Sequence, residues 1–597
     1  MGEVKKLKSR NEIPGEYKWK IEKIYENVEA WEKDFKILKA EAPKLFEYAG
    51  KLGDAEKLLQ FFKFDEEVSR LSDKLFLYAH LKSDEDKGNS TYQAINDKIN
   101  AYMAELKSIT AFFKPEILAL PEDEIEKEIK QVPELEKYEF LLKDILKFKP
   151  HSLSKELEEF MAAVSDCLEA PENIFSMLAD ADMTFPIIKD EDNNEVELTE
   201  GNYFEFIRSK DRRVRKEAFE ALFGTYSKYK NTFATSLTSS IKNFIFNAKT
   251  RKYKSSLEAS LKPNEIPLEV YNNSIATINN HLDSLHRYVG IKKKLLGLEE
   301  IHMYDLYVPI IDSPKEYIEF EKGALIAKEG LKPLGQEYIN IFQQGIDEGW
   351  IDIYENKGKR GGAYSWGGYD TMPYVLLNYN YSLNDVSTLA HEMGHSIHSY
   401  YSRKNQPYIY SDYTLFCAEV ASTTNECLLI HHLIQKETDE KKKLYLINQE
   451  LEQIRTTVFR QIMFAEFEKI THESLETGKP LTSDDLCSIW HELNRKYFGE
   501  EMIIDSEIDM EWARIPHFYS DFYVYQYATG YAAANSFATM IMNNGNSAVE
   551  KYRGFLKSGG SDYPINILRN AGVDMTTSKP LEDTIRRFEE LLNMLDR

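Results

Sequence analysis

Leu389-Ala390-His391-Glu392-Met393-Gly394-His395-Ser396-Ile397-His398 contains the pattern His-Glu-x-x-His, which acquires a chemical meaning on a helix. Side chains four residues apart on an α-helix lie on one face, a turn apart. His391 and His395 can then grip one metal ion. Glu392, next to the first histidine, can lean over the metal's remaining position. Two neutral imidazole nitrogens beside a carboxylate suit zinc and a bound water. The stretch therefore predicts a helix, a third ligand elsewhere in the chain and a cleft.

The flanking residues support the helix. Ser382-Leu383-Asn384-Asp385 fits a capping box, with Asp where Glu or Gln is usual. The helix should start near Leu383 and run to about Tyr400. Gly394 sits in its middle. A mid-helix glycine costs about 1 kcal/mol against alanine, so it implies close approach by substrate or by a neighbouring helix. Upstream, Trp350 to Tyr381 is irregular and holds Gly361-Gly362-Ala363-Tyr364-Ser365-Trp366-Gly367-Gly368. This density of glycine permits close backbone approach, but it matches no phosphate-binding fingerprint. Tyr374 to Tyr379 reads as a short strand, expected to flank the site and to offer an edge to an extended peptide.

Five downstream residues could supply the third ligand: Glu419, Glu426, His431, His432 and Glu437. Glu419 lies in Phe416-Cys417-Ala418-Glu419-Val420-Ala421-Ser422, where small neighbours let two helices pack closely. Glu426, seven residues on, falls on nearly the same face and could accept a ligand histidine's N–H. His398 and Cys417 are read as packed core residues.

Composition limits the function classes. The chain has 597 residues, 42 % hydrophobic and 29 % charged, as a globular protein does. Its net charge of −24 opposes a nucleic-acid surface. Four cysteines without a C-x-x-C pair fit a reducing compartment. No apolar run approaches the ~18 residues of a membrane span, and no apolar stretch follows the early basic residues as in a secretory signal. The cytoplasm is the expected compartment.

Apolar spacing marks Tyr17 to Glu29, Leu58 to His80 and Tyr92 to Phe113 as amphipathic helices. Phe185 to Leu198, with Asn193-Asn194 between two apolar runs, reads as a β-hairpin. Helical patterns dominate from there on, and a tyrosine-dense stretch runs from Pro516 to Tyr531.

His391-Glu392-Met393-Gly394-His395 followed by Glu419-Val420-Ala421-Ser422 resembles the thimet oligopeptidase-like family of zinc metallopeptidases. Ile13-Pro14-Gly15-Glu16-Tyr17-Lys18-Trp19, the Gly361 to Ser365 loop and the His517 to Tyr531 segment resemble it too, so the likeness covers essentially the whole chain. The resemblance implies a mainly α, large two-lobed helical metallopeptidase, with a deep central channel and a few short strands near the active site. It implies three segments: an N-terminal helical region (1–115), an oligopeptidase F N-terminal-type helical segment ending in a hairpin (116–198) and a catalytic domain (199–597). One Zn2+ per chain would be held by His391, His395 and Glu419, with Glu392 as base and Glu426 behind a ligand. The implied substrates are short peptides cut at internal bonds, with no nucleic-acid or membrane partner.

The oxyanion formed at the cleaved carbonyl needs donors. The family places a histidine and tyrosines in this region, which points to His517, Tyr527 and Tyr531 as catalytic. Tyr523, Gly362, Ala363 and Tyr364 are expected to bind substrate. Tyr523, Tyr527 and Tyr531 stand at steps of four, hence on one helical face. The sequence alone also admits a zinc carboxypeptidase or dipeptidase, or an inactive peptide-binding protein; an intact Glu392 argues against the last. It leaves the oligomeric state open.

Overall fold

The structure is a computed structural model and describes residues 6–121, 123–312 and 316–596. Helix makes up 72 % of it, which fixes the class as mainly α. The chain forms two compact units: Met1–Ser152, Glu316–His432 and Phe537–Gly572 make the first, and Leu153–Lys315, Leu433–Ser536 and Val573–Arg597 the second. The units interleave along the sequence, so residues 199–597 contribute to both. Among the described residues, no helix is long and apolar enough to cross a membrane.

The first unit is built around a 31-residue helix, Ala55–Glu85, whose first turn is capped by Asp54 accepting from the Lys57 N–H. Leu58, Phe61, Phe62, Leu75 and Tyr78 from this helix form one buried cluster with Trp31, Phe35, Ile99 and Tyr102. The expected helix over Tyr17 to Glu29 is not formed. Short 3-10 turns at Gly15–Tyr17 and Ile21–Lys23 precede a helix that starts at Val28. The backbone between them pairs sideways instead: Ile353 N–H donates to Tyr17 C=O at 3.0 Å and Lys20 N–H to Gly349 C=O at 2.8 Å. Long-range pairing has overridden an apolar spacing that suited a helix.

That pairing borders a three-stranded sheet. Tyr374–Leu376 is its central strand, parallel to Ile351–Asp352 and antiparallel to Tyr364–Trp366. All three residues of the central strand are buried. The edge that the sequence suggested for Tyr374 to Tyr379 is therefore taken. The glycine-rich segment folds back as a strand and carries the outer edge itself.

The metal-motif helix runs from Leu383 to Asn405, past the expected end at Tyr400. Its capping box is formed: Ser382 Oγ accepts from Asp385 N–H at 3.2 Å, and Asp385 Oδ2 accepts from Ser382 N–H at 2.9 Å. A second helix, Leu415–Lys436, crosses it closely. A Cβ on Gly394 would lie 2.6 Å from Ser422 Cα, so this glycine serves the approach of the neighbouring helix.

In the second unit the hairpin forms as Ile187–Lys189 against Glu195–Glu197, with Asn193 at a φ of 63° in its turn. The helices here surround buried ions as well as apolar side chains. Asp305 is wholly buried and takes Arg212 and Arg215, each at 2.7 Å. The helix Tyr525–Asn544 begins after Tyr523. Tyr523 thus lies outside it, which corrects the expectation that Tyr523, Tyr527 and Tyr531 share a helical face. A left-handed Phe522 (φ 51°) breaks the run just before.

Candidate metal centre

His391, His395 and Glu419 each offer one donor atom, and these atoms lie within 4.8 Å of one another. Glu419 Oε2 is 3.4 Å from His391 Nε2 and 3.5 Å from His395 Nε2. The two imidazoles stand nearly perpendicular, at 79°, with centroids 4.9 Å apart. The histidines come from successive turns of one helix and the carboxylate from its neighbour. The close crossing at Gly394 brings them together.

A further layer holds these donors. Glu426 Oε1 is 3.4 Å from His391 Nδ1, which orients the ring so that Nε2 faces the group. Ser422 Oγ donates to Glu419 Oε2 at 3.1 Å. Asn425 Nδ2 donates to Ala390 C=O at 2.8 Å, and its Oδ1 accepts from Tyr338 Oη at 2.9 Å. Asn425 thereby ties the two helices at the level of the motif. Its neighbours Ser422, Thr423, Thr424 and Glu426 are polar as well, so the sequence does not single it out.

The electrostatics follow from burial and pairing. Burial alone would push the Glu419 carboxyl up, but hydrogen bonds from His391 and His395 hold it well below the usual range. Burial alone would lower His391, yet Glu419 and Glu426 push it up to about 10. A metal entering this group therefore displaces a proton. Glu392 is 7 % exposed, and burial raises its carboxyl against the opposing pull of the two histidines. A carboxylate so raised is suited to taking a proton.

The remaining candidates lie apart from this group. His398 is buried and stacks on Tyr413 with centroids 3.7 Å apart; burial lowers it to about 3. His431 Nδ1 lies 3.0 Å from Met542 Sδ. Glu437 accepts from the Thr438 and Asp439 amides. Cys417 is buried.

The edge strand is fastened to the same helix. Ser365 Oγ and Ser396 Oγ are 2.7 Å apart. Tyr364 Oη donates to the buried Asp84 Oδ2 at 2.7 Å, so this tyrosine's hydroxyl is engaged by the protein itself. Gly362, at a φ of 81°, presents its C=O to Asn378 Nδ2 at 2.8 Å. Val375 N–H donates to Trp350 C=O on the inner side of the sheet. Main-chain groups alternate sides along a strand. Leu376 and Tyr374 hence face Tyr364 and Trp366, their register partners, and the N–H and C=O of Ser365 point to the open edge. Asp84 was not foreseen, since its helix-end sequence carries no motif.

The tyrosine-dense stretch belongs to the second unit. There Tyr527 Oη is 3.2 Å from His517 Nε2. Tyr523 stacks on His517 with centroids 5.9 Å apart and planes 10° apart, and its ring meets that of Tyr527 edge-on at 5.3 Å. Burial lowers His517, favouring the neutral ring. Tyr531, one turn on, is 3 % exposed.

A His-Glu-x-x-His helix with a carboxylate ligand from the next helix and a buried base defines a metallopeptidase-type centre. Residues 206–587 match peptidase family M3, and residues 116–185 match the family described as oligopeptidase F. The chain is 47 % identical to Oligopeptidase PepF of Bacillus subtilis, over 100 % of this chain and 90 % of that one. It is 39 % identical to Group B oligopeptidase PepB of Streptococcus agalactiae, over 98 % of both. Its fold matches the crystal structure of oligoendopeptidase-F from Enterococcus faecium with a TM-score of 0.74 at 38 % identity, covering 94 % of this chain and 97 % of that one. The match to a Chlamydophila abortus protein has a TM-score of 0.94 at 36 % identity, over 99 % and 100 % of the two chains. The chain belongs to peptidase family M3.

Proposed function

We propose that this protein is a zinc-dependent endopeptidase that hydrolyses internal bonds of short oligopeptides, with His391, His395 and Glu419 as ligands and Glu392 as base. The observation that carries the reading is the convergence of three donor atoms within 4.8 Å beside a buried carboxylate whose affinity for a proton is raised. Two imidazoles and one carboxylate, with no thiolate, match the donor set of catalytic zinc. When bound, the ion supplies Lewis acidity and lowers the pKa of a bound water toward about 7.

The chain's own residues do the rest. Glu392 takes a proton from the attacking water and gives it to the leaving amine nitrogen. Glu426 accepts from His391 Nδ1–H and keeps Nε2 free to ligate. The Ser365 N–H and C=O pair with an extended substrate main chain, and Ala363, two residues away on the same side, continues the ladder. Gly362 leaves that backbone open to approach. Tyr364 contributes main chain to the strand, while its side chain anchors the strand to Asp84. Tyr527, with its hydroxyl on His517, and Tyr531 donate to the oxyanion, and Tyr523 contacts substrate beside them. The sparse free cysteines favour a cytoplasmic enzyme.

Cleavage of internally quenched peptides with both ends blocked, with and without a chelator, tests this reading. Metal-dependent cleavage at internal bonds is expected. Activity confined to peptides with a free C-terminus would instead indicate a carboxypeptidase, and no cleavage at all a peptide-binding protein.

A further inference from the structure

Phe522 is a strained point in the second unit. It is 1 % exposed, aromatic, and holds a φ of 51°. Side chains other than glycine, asparagine and aspartate rarely adopt that region, and they persist there only where the surroundings enforce it. The enforcing contacts are specific. Glu468, on the helix Arg460–Glu476, accepts the Phe522 N–H at 2.8 Å through Oε1. Ser260 Oγ donates to the C=O of Asp521 at 2.8 Å. The Phe522 ring is clamped by His472 at 4.3 Å and by Tyr271 at 5.6 Å. Directly after this turn comes Tyr523, which stacks on His517, whose Nε2 meets Tyr527 Oη.

We infer that Glu468 is a positioning residue for the His517–Tyr523–Tyr527 cluster, acting through the Phe522 N–H to hold the left-handed turn that aims Tyr523. Loss of that acceptor releases φ at residue 522 toward negative values and swings Tyr523 off His517. The inference rests on the proposed role of this cluster in peptide cleavage. Glu468 is 2 % exposed, and its Oε2 has no hydrogen-bond partner among the described residues. Burial raises its carboxyl well above the usual range. A glutamine has the same shape and keeps a side-chain oxygen to accept the Phe522 N–H. Glu468→Gln should therefore behave as wild type, whereas Glu468→Leu removes the acceptor at similar volume.

The test uses the full-length zinc-loaded enzyme and a quenched peptide. Glu468→Leu should lower kcat by about 10²-fold, the scale of a misplaced catalytic group, with bound zinc unchanged. Hydrogen exchange should speed up in peptides spanning Phe522. Glu468→Gln should restore both readouts. In a Tyr527→Phe background, Glu468→Leu should cost nothing further in kcat. Unchanged kcat in Glu468→Leu, an equal fall in Glu468→Gln, or a fully additive loss would overturn the inference. If Glu468→Leu does not fold, Ser260→Ala removes the neighbouring tie and should give a smaller loss in kcat; wild-type kcat there would count against it. If His517→Ala and Tyr527→Phe both keep full kcat, the cluster's catalytic role fails, while exchange at Phe522 still decides whether Glu468 holds the turn.

Discussion

At the scale of single residues, the site separates what binds from what orients. Glu426 touches His391 Nδ1 at 3.4 Å and lies outside the donor group. Glu426→Ala should weaken zinc affinity by about 10- to 100-fold, as loss of an outer partner typically does, with Glu419 still in place. Competition with a chromophoric chelator measures this; unchanged affinity would mean that the His391 ring is held by packing alone. A second residue sets an acid limit. His472 is buried and held to about 3 against an ordinary value near 6.5. Its folded value is depressed and its buried form is neutral. The protein therefore loses no stability through it above about pH 6.5, and progressively more as pH falls toward 3, because the unfolded chain takes up the proton first. A few kcal/mol are at stake. The fall in melting temperature from pH 7 to pH 4 should be smaller in His472→Phe than in wild type, and parallel profiles would refute the assignment. The grouping of His391 and His395 on one helix face was legible because residues four apart on a helix lie a turn apart. Asp84 and Asn425 were not, since each acts on a segment far away in sequence.

At the scale of elements, local chemistry was readable and long-range pairing was not. The capping box at Ser382 and Asp385 located the start of the motif helix, because both partners lie within one turn. The amphipathic spacing of Tyr17 to Glu29 misled, because the backbone at Tyr17 and Lys20 pairs sideways with residues 349–353 instead of closing helical turns. Tyr374–Leu376 was recognisable as a strand, but central and edge positions differ only in what lies alongside. The helix crossing carries a direct prediction. Gly394→Ala places a Cβ 2.6 Å from Ser422 Cα, so the two helices must separate. It should destabilise by about 1–3 kcal/mol, as overpacking does, and loosen the Glu419 donor. Denaturant midpoints and bound zinc measure the two effects, and a gain in stability from the better helix former would contradict the crossing. The edge strand gives another. Tyr364→Phe removes the bond to Asp84, worth about 1 kcal/mol. KM for quenched peptides should rise several-fold with kcat little changed, while a fall confined to kcat would place Tyr364 in the chemistry.

At the scale of the whole molecule, the mainly helical class was legible from apolar periodicity, and family M3 membership covers 206–587 of the chain. The interleaving of the two compact units was not legible, since it depends on which distant helices pack together. A metal that binds only the folded state must stabilise it, by about 2.7 kcal/mol at a hundredfold excess over its dissociation constant. Zinc should raise the melting temperature of the metal-free protein in a concentration-dependent way. His395→Ala should abolish that rise.

The most direct test is to measure bound zinc and peptide turnover together in wild type and in Glu392→Gln. One zinc per chain is expected in both, with turnover of an end-blocked quenched peptide lower by at least about 10³-fold in the variant, as removal of a general base requires. Loss of zinc from Glu392→Gln, or turnover that survives the substitution, would contradict the assignment of His391, His395 and Glu419 as the ligands and Glu392 as the base.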